Sequence, residues 1–457
     1  MSDEAATKPI PWPPHSALIQ TAIAAVRRSL DYPDDFGQRH GDIAQVRLLM
    51  PRRPGDGARW PLTIGTVVLV SSPDLMRELF AKSGPALAGG AARQFAEWFF
   101  GSDSLLILDD KRHRDERGEL LTLFSPERIA HAEATAREVA AETLARVPSA
   151  EMLRLGALLD AVVLDIAVRL MFGRVNEATG RRLRHCVLGG LTSQGWDWPF
   201  LLFPRLRRDL GRWSPGGRAA RLMAEFRALL ADQVTRIRSG HGCPESWLFQ
   251  LLAMEGEPRD DDATVNRRVA RMLTIFAGMV TVAVALRWCV HHLLDSPDVL
   301  ARARDEARAA GSSSYVEAVC KETMRIHPAI PVVARLVTSA TVLGSYRLEP
   351  GTYLLGCIYL THRRPDLYPE PSRFRPERFL ERSFSPYEYV PFGGGVRRCL
   401  GYGIALQQMS LVLGEFLRTF DLEGKLQRRL RVRRRAVYML PADPLRASIR
   451  RARSDVQ

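Results

Sequence analysis

The run Phe392-Gly393-Gly394-Gly395-Val396-Arg397-Arg398-Cys399-Leu400-Gly401 decides how this chain is read. It sets one cysteine in a glycine-rich turn directly ahead of an apolar stretch of helical character, Ile404 to Leu417. Glycines let backbone amides approach a neighbouring atom closely, and Gly401 removes any Cβ beside the thiol. The helix that follows would aim its positive N-terminal end at the cysteine sulfur. Both effects are expected to lower the thiol pKa and favour the thiolate, the form that ligates metal. Cys399 has no cysteine or histidine partner at ligand spacing, which argues against zinc and its three or four protein ligands. A haem iron held by one axial thiolate suits it, an arrangement that promotes O–O bond cleavage. A phosphate cradle would want a Lys-Ser/Thr pair after the glycines, and none follows. A buried structural cysteine in a glycine-rich loop is the plainer alternative.

Composition narrows the classes further. At 457 residues the chain exceeds the usual size of one core, so length alone predicts two or three domains. An apolar share of 46% with 25% charged residues describes a soluble globular protein. Cys186, Cys243, Cys289, Cys320, Cys357 and Cys399 lie far apart with no C-x-x-C pair, which excludes a disulfide framework and points to a reducing cytoplasm. The chain opens Met1-Ser2-Asp3-Glu4, with prolines between Pro9 and Pro14, so neither a signal peptide nor a membrane anchor is expected. Only five of the 65 basic residues are lysine, a bias that points to a GC-rich bacterial genome. Between Lys425 and Arg453 eleven Lys/Arg face one acid, Asp443, which is ten of the net +14. Without a nucleic-acid motif or interleaved aromatics, no nucleic-acid partner is expected. A solvated face, or a dock for an acidic protein, accounts for that cluster.

Strand signals are sparse: Thr63 to Val70, and Tyr346 to Leu355 around a Pro350-Gly351 turn. Helical spacing covers Ala130 to Arg146, Ala157 to Leu170 and Val269 to Leu294. Phe392, Gly395, Arg397, Cys399 and Gly401 fill every fixed position of F-x-x-G-x-R-x-C-x-G, and here the chain resembles the cytochromes P450, the haem-thiolate monooxygenases. The resemblance runs from about Gly41 to Pro441. It implies a mainly α fold with small β-sheets (α+β), with haem b between a long central helix and the helix after the cysteine. It also implies one domain over 1–457, carrying an N-terminal extension (1–40) and a basic C-terminal tail (442–457), against the length-based expectation.

Glu322 and Arg325, in Lys321-Glu322-Thr323-Met324-Arg325-Ile326-His327-Pro328, sit three apart on one helix face. Alone, such a pair usually means an exposed ion pair of little worth. The resemblance makes them, with Arg378 of Pro376-Glu377-Arg378-Phe379, a buried ion triad holding the cysteine loop. It makes Cys399 the metal ligand, and His113, Arg117, Arg335 and Arg397 the holders of the haem propionates, with Phe392 and Gly401 beside the cofactor. Arginine's planar fork suits a carboxylate.

Ala277-Gly278-Met279-Val280-Thr281-Val282 lies mid-way along the long apolar segment, where a glycine and a threonine cost helix propensity. Close helix packing is the plain account. By resemblance this is the oxygen groove, with Gly278 giving room and Thr281 guiding protons. The family's acid is Val280 here. Three consequences stay open: the substrate's hydroxyl or an ordered water replaces the acid; the outcome is coupling, desaturation or rearrangement; or peroxide feeds the site.

Aromatic-rich Ala91 to Leu106 and Gln194 to Trp213, with Ala329 to Val333 and Val437 to Leu440, correspond to pocket-lining segments of the family and imply a sizeable apolar small-molecule substrate. His291 and His292 are adjacent and point apart on a helix, which excludes a shared metal. The expected enzyme is a monomeric bacterial monooxygenase using O₂ and NAD(P)H-derived electrons from a separate ferredoxin and ferredoxin reductase, in secondary-metabolite biosynthesis. A peroxygenase or isomerase without redox partners is the alternative enzyme class, and a haem sensor or carrier the non-enzymatic one.

Overall fold

The computed structural model describes residues 10, 41–51, 62–82, 84–192, 206, 208–211, 214–256, 259–309, 314–423, 432–435, 437–441 and 445–452. Most of 194–213, the extension before residue 41 and much of the basic tail lie outside the described residues.

Helices dominate. Those of eight residues or more are α1 (Pro73–Ala81), α2 (Asp110–Leu121), α3 (Pro126–Ala145), α4 (Leu155–Phe172), α5 (Glu177–Thr192), α6 (Pro215–Arg236), α7 (Trp247–Met254), α8 (Asp262–Asp295), α9 (Pro297–Arg308), α10 (Ser314–Ile326) and α11 (Tyr402–Thr419). Their starts follow local chemistry. Ser72 and Ser125 cap α1 and α3 ahead of a proline, and Asp261 caps α8 by accepting from the Thr264 amide at 2.9 Å. The strands are β1 (Ile43–Pro51), β2 (Leu62–Val70), β3 (Leu87–Ala88), β4 (Ala150–Arg154), β5 (Val333–Val337), β6 (Thr341–Leu343), β7 (Tyr346–Leu348), β8 (Tyr353–Gly356), β9 (Phe420–Glu423), β10 (Val432–Arg435), β11 (Tyr438–Pro441) and β12 (Arg446–Arg451).

The largest sheet has the order β1-β2-β8-β5-β3, with β2 and β8 parallel and its other pairs antiparallel. The expected strand at 63–70 is β2, and the Pro350-Gly351 turn, with Gly351 at φ 91°, separates β7 from β8. Small sheets β4-β12-β9 and β10-β11 close the C-terminal side.

α8 is the spine. It packs against α4, α5, α10 and α11, and one apolar core running from Ala96 to Ile449 encloses it. Among the described helices only α8 is long and apolar enough to cross a membrane, but 78% of its most apolar stretch is buried inside the protein. That makes it a core helix, because a helix apolar all round needs apolar neighbours.

Candidate functional site

The cysteine turn is shaped by its neighbours. A Cβ on Gly394 would sit 2.4 Å from the Phe80 ring, and one on Gly395 would sit 2.3 Å from the Phe80 carbonyl oxygen. Gly395 also holds φ 63°, so packing and backbone both require glycine there. Phe80 comes from α1, far away in sequence, and nothing in the motif announces it. The turn closes where the Cys399 amide donates to the Phe392 carbonyl at 2.9 Å, and Gly401 then caps α11. The thiol itself departs from expectation: burial pushes the Cys399 pKa up. The Gly401 amide, Arg117 and Arg398 pull it down and do not prevail. In the chain by itself desolvation beats the helix end, since burial disfavours the charged form. A coordinating cation would reverse the balance, because a ligating thiol gives up its proton to the metal.

Arg397 of that turn belongs to a cluster of cations. Arg93, Arg117, Arg335 and Arg397 lie close enough to perturb one another, with His113 among them. Arg335, on β5, is 1% exposed. One carboxylate, Asp109, sits inside the cluster, with exposed Asp110 at its margin. Asp109 is heavily engaged: it accepts from the Gly89, Gly90 and Ala91 amides at 2.8–3.0 Å and pairs with Arg397. Arg397 also donates to the Leu108 carbonyl. Burial, with mutual repulsion, drives Arg335 down to about 9 and Arg93 down to about 10, and holds His113 at about 4 and therefore neutral. Three guanidiniums around one occupied carboxylate, with Arg117 beside Arg397, form a receptor for further anionic groups. Two propionates fit it. The sequence reading placed four members of this group and missed Arg93 and Asp109.

α8 presents one open face to the same region. From Arg268 to Leu286 every residue is buried except Thr274, Ala277, Gly278 and Thr281, an i, i+3, i+4, i+7 stripe. A Cβ on Gly278 would find nothing within 4 Å, so there is room over this turn. The Thr281 hydroxyl donates to the Gly278 carbonyl at 2.6 Å. Val280 does not share this face. It is 4% exposed and packs into the apolar core.

Glu322, Arg325 and Arg378 meet, fully withdrawn from solvent. Arg325 grips Glu322 through two bonds of 2.7 and 2.8 Å, and Arg378 Nε reaches Glu322 Oε1 at 3.0 Å. The Arg375 amide adds a fourth donor at 2.9 Å. Spare guanidinium hydrogens go to the carbonyls of His362, Pro369 and Arg373. A bond path leads on to the cysteine: His362 Nε2 accepts from the Val390 amide at 2.8 Å, and the Val390 carbonyl accepts from Gly393. Burial depresses His362 to about 3, so the acceptor nitrogen stays free of a proton.

Elsewhere, His291 and His292 rings stand 6.0 Å apart at 81°, and His292 instead meets His327 across a 2.9 Å bond. The Met439 amide donates to the Ala329 carbonyl, which brings together the two expected pocket-lining segments at 329–333 and 437–440. In the basic tail, Arg450 pairs with Glu423, and Arg451 donates to carbonyls at 144, 145 and 147.

The cytochrome P450 family model matches residues 37–447. The chain belongs to the cytochrome P450 family. Similar proteins agree. Cytochrome P450 135B1 of Mycobacterium tuberculosis is 31% identical over 452 residues, covering 97% of this chain and 92% of that one. Cytochrome P450 137 of the same species is 30% identical, covering 90% and 86%. The retinoic acid bound cyanobacterial CYP120A1 superposes with a TM-score of 0.75 at 21% identity, covering 98% of this chain and all of the other, a likeness of fold. This P450 is a monooxygenase of the haem class, mainly helical with small sheets.

Proposed function

We propose that this P450 inserts one oxygen atom from O₂ into a largely apolar, uncharged small molecule, as one catalytic unit in the cytoplasm. The open face of α8 carries this reading: two hydroxyls and an Ala-Gly floor, with the strong charges gathered at the arginine cluster. Bound haem supplies the iron chemistry that activates O₂ and accepts electrons. The protein's residues do the rest. Cys399 is the ligand, while Arg335, Arg397, Arg117, Arg93 and neutral His113 hold the propionates. Phe80 and the triad fix the cysteine turn, and Phe392 and Gly401 bound it. Gly278 leaves space for a small gas beside the Thr281 hydroxyl, whose oxygen can accept a proton from water and pass one on.

Val280 cannot relay protons from inside the core, so ordered water on the Thr281 face, or the substrate's own hydroxyl, takes that part. Electrons arrive from a separate acidic ferredoxin with its reductase, and the product belongs to secondary metabolism. The docking face surrounds the cysteine turn, where Val396 and Tyr402 are exposed beside Arg398, whose guanidinium lies 3.7 Å over the Tyr402 ring. Apolar side chains rimmed by arginine suit a protein with an acidic patch. Purified holoenzyme with ferredoxin, reductase, NAD(P)H and isotope-labelled O₂ tests this. Label in the product with the complete system supports it. Label only from added peroxide, with no response to the redox pair, moves the protein to the peroxygenase class.

A further inference from the structure

The open face of α8 has two hydroxyls, and Thr281 is the only one that the oxygen groove uses. The other, Thr274, lies seven residues upstream on the same stripe. At about 1.5 Å of rise per residue that is ~10 Å along the axis. Between them lie Ala277 and Gly278, which put no bulk on the path.

Thr274 is tied to Ser104 of the loop before α2, with the hydroxyl oxygens 2.9 Å apart. The bonds around this pair fix which way the protons point. The Leu106 amide can only donate, and it donates to Ser104 Oγ at 3.3 Å. The Ala270 carbonyl can only accept, and it takes the Thr274 hydroxyl proton at 2.7 Å. Ser104 therefore donates to Thr274, and Thr274 Oγ1 keeps one lone pair with its own hydrogen already committed. Ser104 is completely buried, next in the chain to buried Leu105 and shortly after buried Phe99 and Phe100. A hydroxyl pair in such surroundings is costly unless satisfied, so its placement on an otherwise apolar wall is selective.

We infer that Thr274, oriented by Ser104, is the polar anchor of the substrate pocket. It accepts a hydrogen bond from an O–H or N–H group lying ~10 Å from the carbon oxidised near Thr281. The inference rests on the monooxygenase reading and sharpens its substrate class: an elongated apolar molecule with one hydrogen-bond donor at the end remote from the oxidised carbon.

Straight-chain primary alcohols from hexanol to dodecanol, with the matching alkanes, serve as probes in holoenzyme titrations that follow the substrate-induced shift of the Soret band. The alcohols should bind about fivefold tighter than the alkanes, as one net hydrogen bond allows. The preference should peak near nonanol, whose chain spans the distance between the two threonines. Thr274→Val keeps the shape and should erase the preference while leaving alkane affinity unchanged. Thr274→Ser should retain it, and Ser104→Ala should weaken it. Equal or absent binding of alcohols and alkanes by the native protein, or an alcohol preference that survives Thr274→Val, overturns the anchor. Loss of the thiolate-type band in the reduced carbon monoxide complex is a separate result, and it would sink the enzyme reading instead.

Discussion

Two clusters of arginine connect to the cysteine turn, one through Arg397 and one through the His362–Val390 bond, and they are built on opposite principles. Around Glu322 the carboxylate has four donors, and the guanidiniums of Arg325 and Arg378 spend their remaining hydrogens on backbone carbonyls. Around Arg335 three guanidiniums, those of Arg93, Arg335 and Arg397, share one carboxylate that three amides already occupy, and burial drives Arg335 and Arg93 below their ordinary range. The first cluster is complete without a ligand. The second holds more cationic than anionic charge. Completeness marks a scaffold, and excess charge marks a binding site.

The sharpest way to break that contrast is Glu322→Ala. It leaves two guanidiniums buried without their carboxylate and should cost about 4 kcal/mol in denaturant unfolding, with protein accumulating free of haem. An unchanged unfolding midpoint would mean that the triad is not the scaffold. Val280→Glu places a carboxylate where neither cluster reaches, and should cost about 3 kcal/mol at neutral pH. Burial raises the pKa of such a carboxyl, so its deficit should shrink as pH falls from 8 to 5. A pH-independent deficit would mean that the new side chain escapes to water.

Arg335→Leu should split two readouts. Haem transfer to an acceptor globin should become about tenfold more favourable, while the haem-free chain should unfold no earlier than the native one. If haem retention is unchanged, the charge excess has another purpose. The most gradual effect concerns acid. His362 takes a proton at about 3 when folded and near 6.5 when unfolded, so the unfolded chain binds more protons between those values. Stability is therefore full above pH 6.5 and falls as pH drops, by up to about 1.4 kcal/mol per unit from this group. His362→Gln keeps an acceptor for the Val390 amide and should flatten the slope of melting temperature against pH. An equally steep slope in that variant assigns the acid loss to other groups.

Much of this was legible in the sequence. Apolar period gave the long helices to within a few positions at most ends, and α8 exceeds its expected span because its first turns, from Asp262 to Arg268, are polar. The cysteine turn and the triad stood in compact motifs. What escaped depends on contacts between distant segments: Phe80 against Gly394, Asp109 in its nest of amides, Arg93 beside Arg335, and Ser104 against Thr274. None carries a spacing signal, since each partner comes from another element. The Cys399 pKa went the other way from expectation because helix and arginine effects are local to the motif, whereas the depth of burial is a property of the whole fold.

The central claim is that the Cys399 thiolate holds a haem between α8 and α11. The reduced carbon monoxide difference spectrum tests it most directly. The native protein should show the thiolate-type Soret band, and Cys399→Ser should lose it. A native spectrum without that band, or a Cys399→Ser protein that keeps it, would contradict the account.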